Sequence, residues 1–551
     1  MTWRPWWTPA VFSLLALAWL WPAPFTADLL GRRADALGTV WFVSAAGRLL
    51  PSLHDPLTGW PLGADYTRPD SWTLLFAGVI GSFLTATRLV GLVAVFGVIA
   101  SAWAAEAFSR SLGAKAPWSL IAGLAYAFSG LAATAWIEGY PYHLADPWLP
   151  LCGLAWMRAV GREGTPRDGL LAAGAFALAL ATSAWHGLAA AVLVVGLLAG
   201  ARAAGVASLR PVAAAGAAVG LLAVVYAAAF FSHATGDAVP PTGMGGLSTV
   251  SERLLLHTAP APSVDIDGRS QTAWFSSVML GCFLVSPVVA RRDWRVRALF
   301  ITAVVALFLA LIPLPWDSMA EFVPVSRAGA LASLRAAFGR FPERLGWTWV
   351  LAGGVIAGRV ATELHDRAGR AAWPLLLLAL VEVYAGPRLP WRQLRSPGGA
   401  PSAYNAASGP VFDLWPTDLA PEPGWDLRVT NTNCFYQASH GRPTGELCLL
   451  SPGVESPRAV LTAAITSALL DGEAEVVRAQ LASFGYSTIA LHPDVFRPSD
   501  RARILSALAA VDPAPAESVD MGDHVVAFAV SGAADAETAR AAWLSYVGDA
   551  P

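Results

Sequence analysis

Residues 26–72 read TADLLGRRADALGTVWFVSAAGRLLPSLHDPLTGWPLGADYTRPDSW, helix-compatible over 36–50 and broken into loop by Pro, Gly and Asp after Pro51. Apolar runs at 8–24 and 88–108 flank the stretch, and a shorter one at 73–84 has the length of a re-entrant or interfacial helix. It therefore reads as a long polar loop, 25–87, between two membrane spans, and the work done by its acidic residues decides how the remainder is understood.

The composition supports that reading. The chain has 551 residues, of which 55% are hydrophobic and 14% charged, with a mean hydropathy of +0.50. Soluble domains carry about 25% charged residues, so the sequence predicts an integral membrane protein. A net charge of -2 excludes a broad basic surface for nucleic acid. Four cysteines are too few for a disulfide scaffold or a CxxC zinc site.

Apolar runs recur at 8–24, 88–108, 117–135, 147–160, 168–183, 187–201, 211–231, 273–290, 298–316, 345–362 and 371–387, about eleven transmembrane helices in all. With the N-terminus in the cytoplasm, the inner loops collect Arg110 and Lys115, then Arg158, Arg162 and Arg167, Arg202 and Arg210, Arg291, Arg292, Arg295 and Arg297, and Arg367 and Arg370. Outer loops at 136–146 and 184–186 have neither Lys nor Arg, as the positive-inside rule requires. This orientation puts everything after the last span outside. The first run is read as an uncleaved span rather than a signal peptide, although cleavage would leave the other spans unchanged. The long outer segments 25–87, 232–272 and 317–344 lie on one face, so the chemistry is expected there.

Asp35 opens the helix-compatible part of the first loop. It can cap that helix through its carboxylate, or it can act as a general base whose pKa rises by partial desolvation at the membrane surface. The residues alone leave both readings open.

An Asp after the first span, a following Trp and a P-x-G-x-D element (Asp35, Trp41, Pro61, Gly63, Asp65) resemble the bacterial membrane glycosyltransferases of the GT-C superfamily. GLAYAFSGLAATAW at 123–136, PWLPL at 147–151 and GRFPERLGW at 339–347 add to the resemblance. It implies a polytopic α-helical GT-C-like domain over 1–387. It also implies transfer of a sugar from a polyprenyl-phosphate donor to an acceptor hydroxyl at the outer face, the acceptor being a glycan, lipid or protein. Asp35 would be the base and Asp65 a second active-site carboxylate. Arginine binds phosphate bidentately and stays charged, which makes Arg32, Arg33, Arg327, Arg335, Arg340 and Arg344 candidates for the departing phosphate; otherwise they anchor interfacial helices to headgroups. Glu138 and His143, in EGYPYHLADPW, either position the acceptor or form a solvated turn. His186 reads as an interfacial hydrogen bonder. Asp265 and Asp267 resemble the opening of a calcium loop but lack its closing glutamate, so no metal and no other cofactor is assigned.

A Pro-rich linker, 388–409, leads into a C-terminal region, 410–551, expected to be a small extracytoplasmic α/β domain. Strand patterns occur at VFDLWP, YSTIALHP and DHVVAFAV, with helical patterns near 456–484, 499–510 and 534–547. No P-loop, GxGxxG or G-x-S-x-G is present. Cys434 and Cys448 lie in this region, and in an oxidising compartment such a pair is expected to bridge; Cys152 and Cys282, on separate apolar runs, are expected to stay unpaired. Two function classes follow: a glycosyltransferase of the bacterial inner membrane, or a non-catalytic scaffold or transport component of the same fold in cell-envelope glycan assembly. A pump is disfavoured because the spans carry few ionisable residues at their middles.

Overall fold

The computed structural model describes residues 7–22, 25–26, 29–30, 34–50, 54–65, 71–80, 84–133, 147–208, 210–219, 264–266, 269–271, 276–289, 292–311, 345–385, 394–395, 400–416, 425–446, 448, 457–520 and 523–549. The chain divides into two compact units, one formed by Met1–Thr26, Thr67–Leu75 and Gly91–Leu394, the other by Ala27–Tyr66, Phe76–Val90 and Arg395–Pro551. The second unit thus takes in most of the first-loop segment that the sequence assigns to the membrane domain.

In the first unit, helices follow the apolar runs: α1 (Trp7–Leu20), then, past α2 (Ala34–Leu49) and α3 (Ser71–Ile80), α4 (Ala86–Ser111), α5 (Leu120–Ala127), α6 (Trp148–Val160), α7 (Pro166–Thr182), α8 (Ala184–Ala203), α9 (Ser277–Val289), α10 (Trp294–Leu311), α11 (Gly346–Ala368) and α12 (Trp373–Ala385). Among the described residues, two helices, Ala86–Ser111 and His186–Ala203, are long and apolar enough to cross a bilayer by length and composition. Helices of 13 or 14 residues such as α1, α6 and α9 reach about 20 Å at 1.5 Å per residue, less than the roughly 30 Å hydrocarbon core.

Helix α11 is the hub, buried along Gly346–Gly358 and packed against α5, α9 and α10. Small residues let the helices approach: a Cβ on Gly358 would stand 2.4 Å from Ser109 Oγ, and one on Gly196 would stand 1.8 Å from Thr302 Oγ1. Ser109 Oγ donates to Val355 O at 3.0 Å, so its hydroxyl is satisfied inside the bundle. Helix α7 starts on a full capping box, Thr165 accepting from Asp168 N while Asp168 accepts from Thr165 N. The Asp265 region is a hairpin, Val264–Ile266 pairing antiparallel with Arg269–Gln271.

The second unit centres on a four-stranded sheet of β3 (Val411–Leu414), β4 (Thr488–Leu491), β5 (Ala516–Asp520) and β6 (Asp523–Ala529), in the order β3-β4-β6-β5. β3 and β4 are parallel, Val411 opposite Thr488, whereas β6 runs antiparallel to both neighbours. Helices α14 (Pro457–Leu470), α15 (Ala474–Ser483), α16 (Pro498–Val511) and α17 (Ala536–Asp549) complete it. Its core gathers Phe412, Leu461, Ile465, Val477, Leu481, Tyr486, Ile489, Ile504, Val526 and Phe528. To this the first-loop segment adds α2 (Ala34–Leu49) and a two-stranded hairpin, β1 (His54–Asp55) with β2 (Ala64–Asp65), and α2 lies along α13 (Trp425–His440).

Candidate functional site

Helix α2 begins at Ala34, so Asp35 occupies its first turn, as the sequence predicts. From Thr39 onward the helix is almost wholly enclosed, with Val40, Trp41, Phe42, Val43, Ala45, Ala46 and Leu49 all buried. Its last turn carries Arg48, a favourable place for a cation. The guanidinium grips Asp55 with two bonds, Nε to Oδ1 at 3.2 Å and Nη2 to Oδ2 at 3.0 Å. Leu57 N–H also donates to Asp55 Oδ1, at 3.1 Å. Helix α2 is thereby tied to the hairpin, in which Asp65 stands opposite His54 and Ala64 opposite Asp55. Glycine is what the third position of P-x-G-x-D requires here: the φ of Gly63 is +79°, and a Cβ would lie 2.4 Å from the His54 ring.

Between the strands, the chain docks on the rest of the unit. Thr444 N–H donates to Leu57 O at 2.9 Å, Trp60 N–H to Thr444 O at 3.0 Å and Gly59 N–H to Glu446 O at 2.8 Å. The indole N–H of Trp60 donates to Phe484 O at 2.9 Å, and Tyr486 Oη donates to Trp60 O at 3.2 Å. Segment 443–446 is itself joined to β3, since Val411 N–H donates to Pro443 O at 2.8 Å. Beyond it, Cys448 forms a disulfide with Cys434 of α13, Cα–Cα 5.7 Å. Cys152 and Cys282 are free and buried.

A polar cluster fills the carboxyl ends of β3 and β4. Tyr404 Oη donates to Asp413 Oδ1 at 2.5 Å and Tyr436 Oη to Asp523 Oδ2 at 2.5 Å. His492, wholly buried, lies between them, with Nε2 3.2 Å from Tyr404 Oη and Nδ1 3.3 Å from Asp523 Oδ2. With both phenols donating to carboxylates, the two ring nitrogens of His492 face a phenol oxygen and a carboxylate, acceptors that suit the protonated ring. Burial opposes that charge, yet hydrogen bonds and the charges of Asp413 and Asp523 outweigh it and raise the His492 pKa. Burial and the same carboxylates hold both tyrosines protonated, with pKa values above the ordinary phenol range. His440 stacks on Tyr404 with ring centroids 4.9 Å apart. Burial pushes its pKa down to about 4, and Arg442 N–H donates to its Nδ1 at 3.0 Å, which suits the neutral ring. In the cluster two carboxylates share one histidine, and its hydrogen bonds tie β3, β4 and β6 together. The sequence hinted at it only through polar residues inside apolar strand patterns, Asp413 in VFDLW and His492 in IALHP.

Of the other sequence-predicted residues, Arg32, Arg33, Glu138, His143, Arg327, Arg335, Arg340 and Arg344, together with the side chains of Asp35 and Asp65, lie outside the described residues. His186 is buried in the first turn of α8, where Ser183 caps the helix by accepting from His186 N–H at 3.1 Å and its Oγ lies 2.9 Å from His186 Nδ1. Among the described residues no group of three or more His, Cys, Asp or Glu is placed to hold a metal ion. The Arg48–Asp55 pair and the Trp60 docking were not foreseen, because a polar loop gives no periodic signal of what it packs against.

No protein-family model and no curated protein matches the sequence. In fold the chain is similar to the archaeal oligosaccharyltransferase AglB from Archaeoglobus fulgidus, solved with an inhibitory peptide and a dolichol-phosphate. The identity is 12%, the coverage 91% of this chain and 72% of that one, and the TM-score 0.50. It is also similar to the arabinofuranosyltransferase AftD from mycobacteria, at 16% identity and a TM-score of 0.54, over 97% of this chain and 42% of that one. The chain thus spans less than half of the arabinofuranosyltransferase's length.

Proposed function

We infer that this chain, whose fold is GT-C-like, is a membrane glycosyltransferase that moves a sugar from a polyprenyl-phosphate donor to an acceptor hydroxyl at the outer face of the membrane. One observation carries the reading: a fold likeness over 91% and 97% of the chain to two glycosyltransferases coincides with an acidic residue, Asp35, in the first turn of the helix after α1. A lipid-borne donor arrives from the bilayer and a polar acceptor from water, so a base at their boundary meets both. Asp35 takes the acceptor proton as the oxygen attacks the anomeric carbon, Asp65 orients the acceptor, and arginines of the outer segments neutralise the departing phosphate. The dolichol-phosphate in the AglB complex is a ligand of the same chemical class as this leaving group. Eleven spans, an inner N-terminus and an outer C-terminal domain accord with the alternation of arginines along the sequence. The Cys434–Cys448 bridge suits an oxidising compartment.

The test is transfer from polyprenyl-phosphate sugars by purified protein in nanodiscs. Asp35→Asn is expected to lower turnover by about 10² to 10⁴ with folding retained, and Asp65→Asn to cost less. Full turnover by Asp35→Asn would leave the residue a helix cap, and no transfer by wild-type protein with any donor would favour the scaffold.

A further inference from the structure

The first-loop segment and the C-terminal region are far apart in sequence but share one sheet edge. The order at that edge is 57–60, then 443–446, then β3, joined by Gly59 N–H to Glu446 O, Trp60 N–H to Thr444 O, Thr444 N–H to Leu57 O and Val411 N–H to Pro443 O. Trp60 is its anchor. Its backbone N–H, its carbonyl and its indole N–H are each bonded, to Thr444, Tyr486 and Phe484, and its ring packs with Leu62 against the core of the unit. Gly485 makes room for that ring: its φ is +77°, and a Cβ there would stand 3.2 Å from Trp60 Cζ2. Segment 443–446 is fixed from behind by the Cys434–Cys448 bridge and by Asn433 Nδ2 donating to Glu446 Oε1 at 3.4 Å. The docked segment is continuous with the two elements that carry Asp35 and Asp65, α2 through the Arg48–Asp55 pair and β2 through Gly63.

We propose that Trp60 is a positioning residue: by docking the 57–60 turn on segment 443–446 at the edge of the C-terminal sheet, it sets where α2 and β2 hold the two candidate carboxylates. The proposal rests on the glycosyltransferase reading given above. A positioned group misplaced by about 1 Å costs about 10²-fold in rate, so docking that fixes the loop controls turnover without touching substrate.

The experiment compares wild type, Trp60→Ala and Trp60→Phe as full-length protein in nanodiscs, by amide hydrogen exchange and by transfer kinetics with a polyprenyl-phosphate sugar. In Trp60→Ala, the amides of Gly59, Trp60 and Thr444 should exchange about 10- to 100-fold faster, the loss expected from an unfilled aromatic site and a missing bond. Protection at Ile489 and Phe528, inside the sheet, should hold, which separates undocking from unfolding. Turnover should fall about 10²-fold with KM for the donor unchanged. Trp60→Phe, which refills the core but lacks the indole N–H, should recover most of both. Unchanged exchange at 57–60 would overturn the docking role, and faster exchange with unchanged turnover would overturn the positioning role. If wild-type protein transferred no sugar, the glycosyltransferase reading and the positioning role would fall together, and the exchange result would still decide the docking.

Discussion

The Arg48–Asp55 pair invites a double-mutant cycle. Asp55 is wholly enclosed, and three donors serve it: two guanidinium nitrogens and Leu57 N–H. Arg48→Met keeps the aliphatic stem but strips two of the three, leaving a buried carboxylate with one bond. Removing one partner of a buried pair costs about 3–5 kcal/mol. The Arg48 side chain is 35% exposed, so water can approach from its side and about 2–3 kcal/mol is expected. Asp55→Asn retains the acceptor for Leu57 and should cost about 1–2 kcal/mol. The double variant should cost less than the sum of the singles by about 2 kcal/mol, the signature of a direct contact. Opening of the hairpin can be read as the rate of thiol labelling at Ala64→Cys, a position 4% exposed in β2, with each variant built on that background. A coupling below about 0.5 kcal/mol would show that the pair does not organise the hairpin.

Two further outcomes are expected. Replacing Cys434 and Cys448 by serine opens a loop with a sequence separation of 14 and should lower the stability of the C-terminal unit by about 3 kcal/mol, read as a lower urea midpoint; an unchanged midpoint would refute it. The two histidines should give opposite pH arms. His440, with its pKa depressed by burial to about 4, takes its proton more readily when unfolded, so stability falls as pH drops from about 6.5 to about 4, by up to about 3 kcal/mol. His492, with a raised pKa, contributes fully below about 6.5 and its contribution is lost as pH rises through its folded value. His440→Phe should flatten the acid arm and leave the alkaline one in urea titrations across this range, and an acid arm that survived in His440→Phe would contradict the assignment.

Much of the C-terminal α/β unit was legible in the sequence, because its strands and helices carry their own periodicity. VFDLWP, YSTIALHP and DHVVAFAV became β3, β4 and β6, and the three helical patterns became α14 to α17. Helix α13 was not legible. Its sequence, WDLRVTNTNCFYQASH, has no apolar stripe, and it packs against α2, nearly four hundred residues earlier. The hairpin β1–β2 hid for the same reason, since its two-residue strands are held by Arg48 and by the C-terminal sheet rather than by an alternating pattern. Of the proposed site, the helix bearing Asp35 was legible from residue types, whereas the elements that fix its place were not, because each depends on a partner remote in sequence.

That remoteness has a consequence for biogenesis. Trp60 and Phe484 are separated by 424 residues, so the loop emerges from the ribosome long before its docking edge exists. The docked turn can close only after the C-terminal region has been synthesised and folded, which makes this contact a late step of maturation and a slow one by contact order. Until then β3 and segment 443–446 present an uncapped edge, the kind of surface on which sheets from different chains pair wrongly. A C-terminal fragment expressed without residues 54–65 would keep that edge open permanently, and the full chain carries the cover for it near its own beginning.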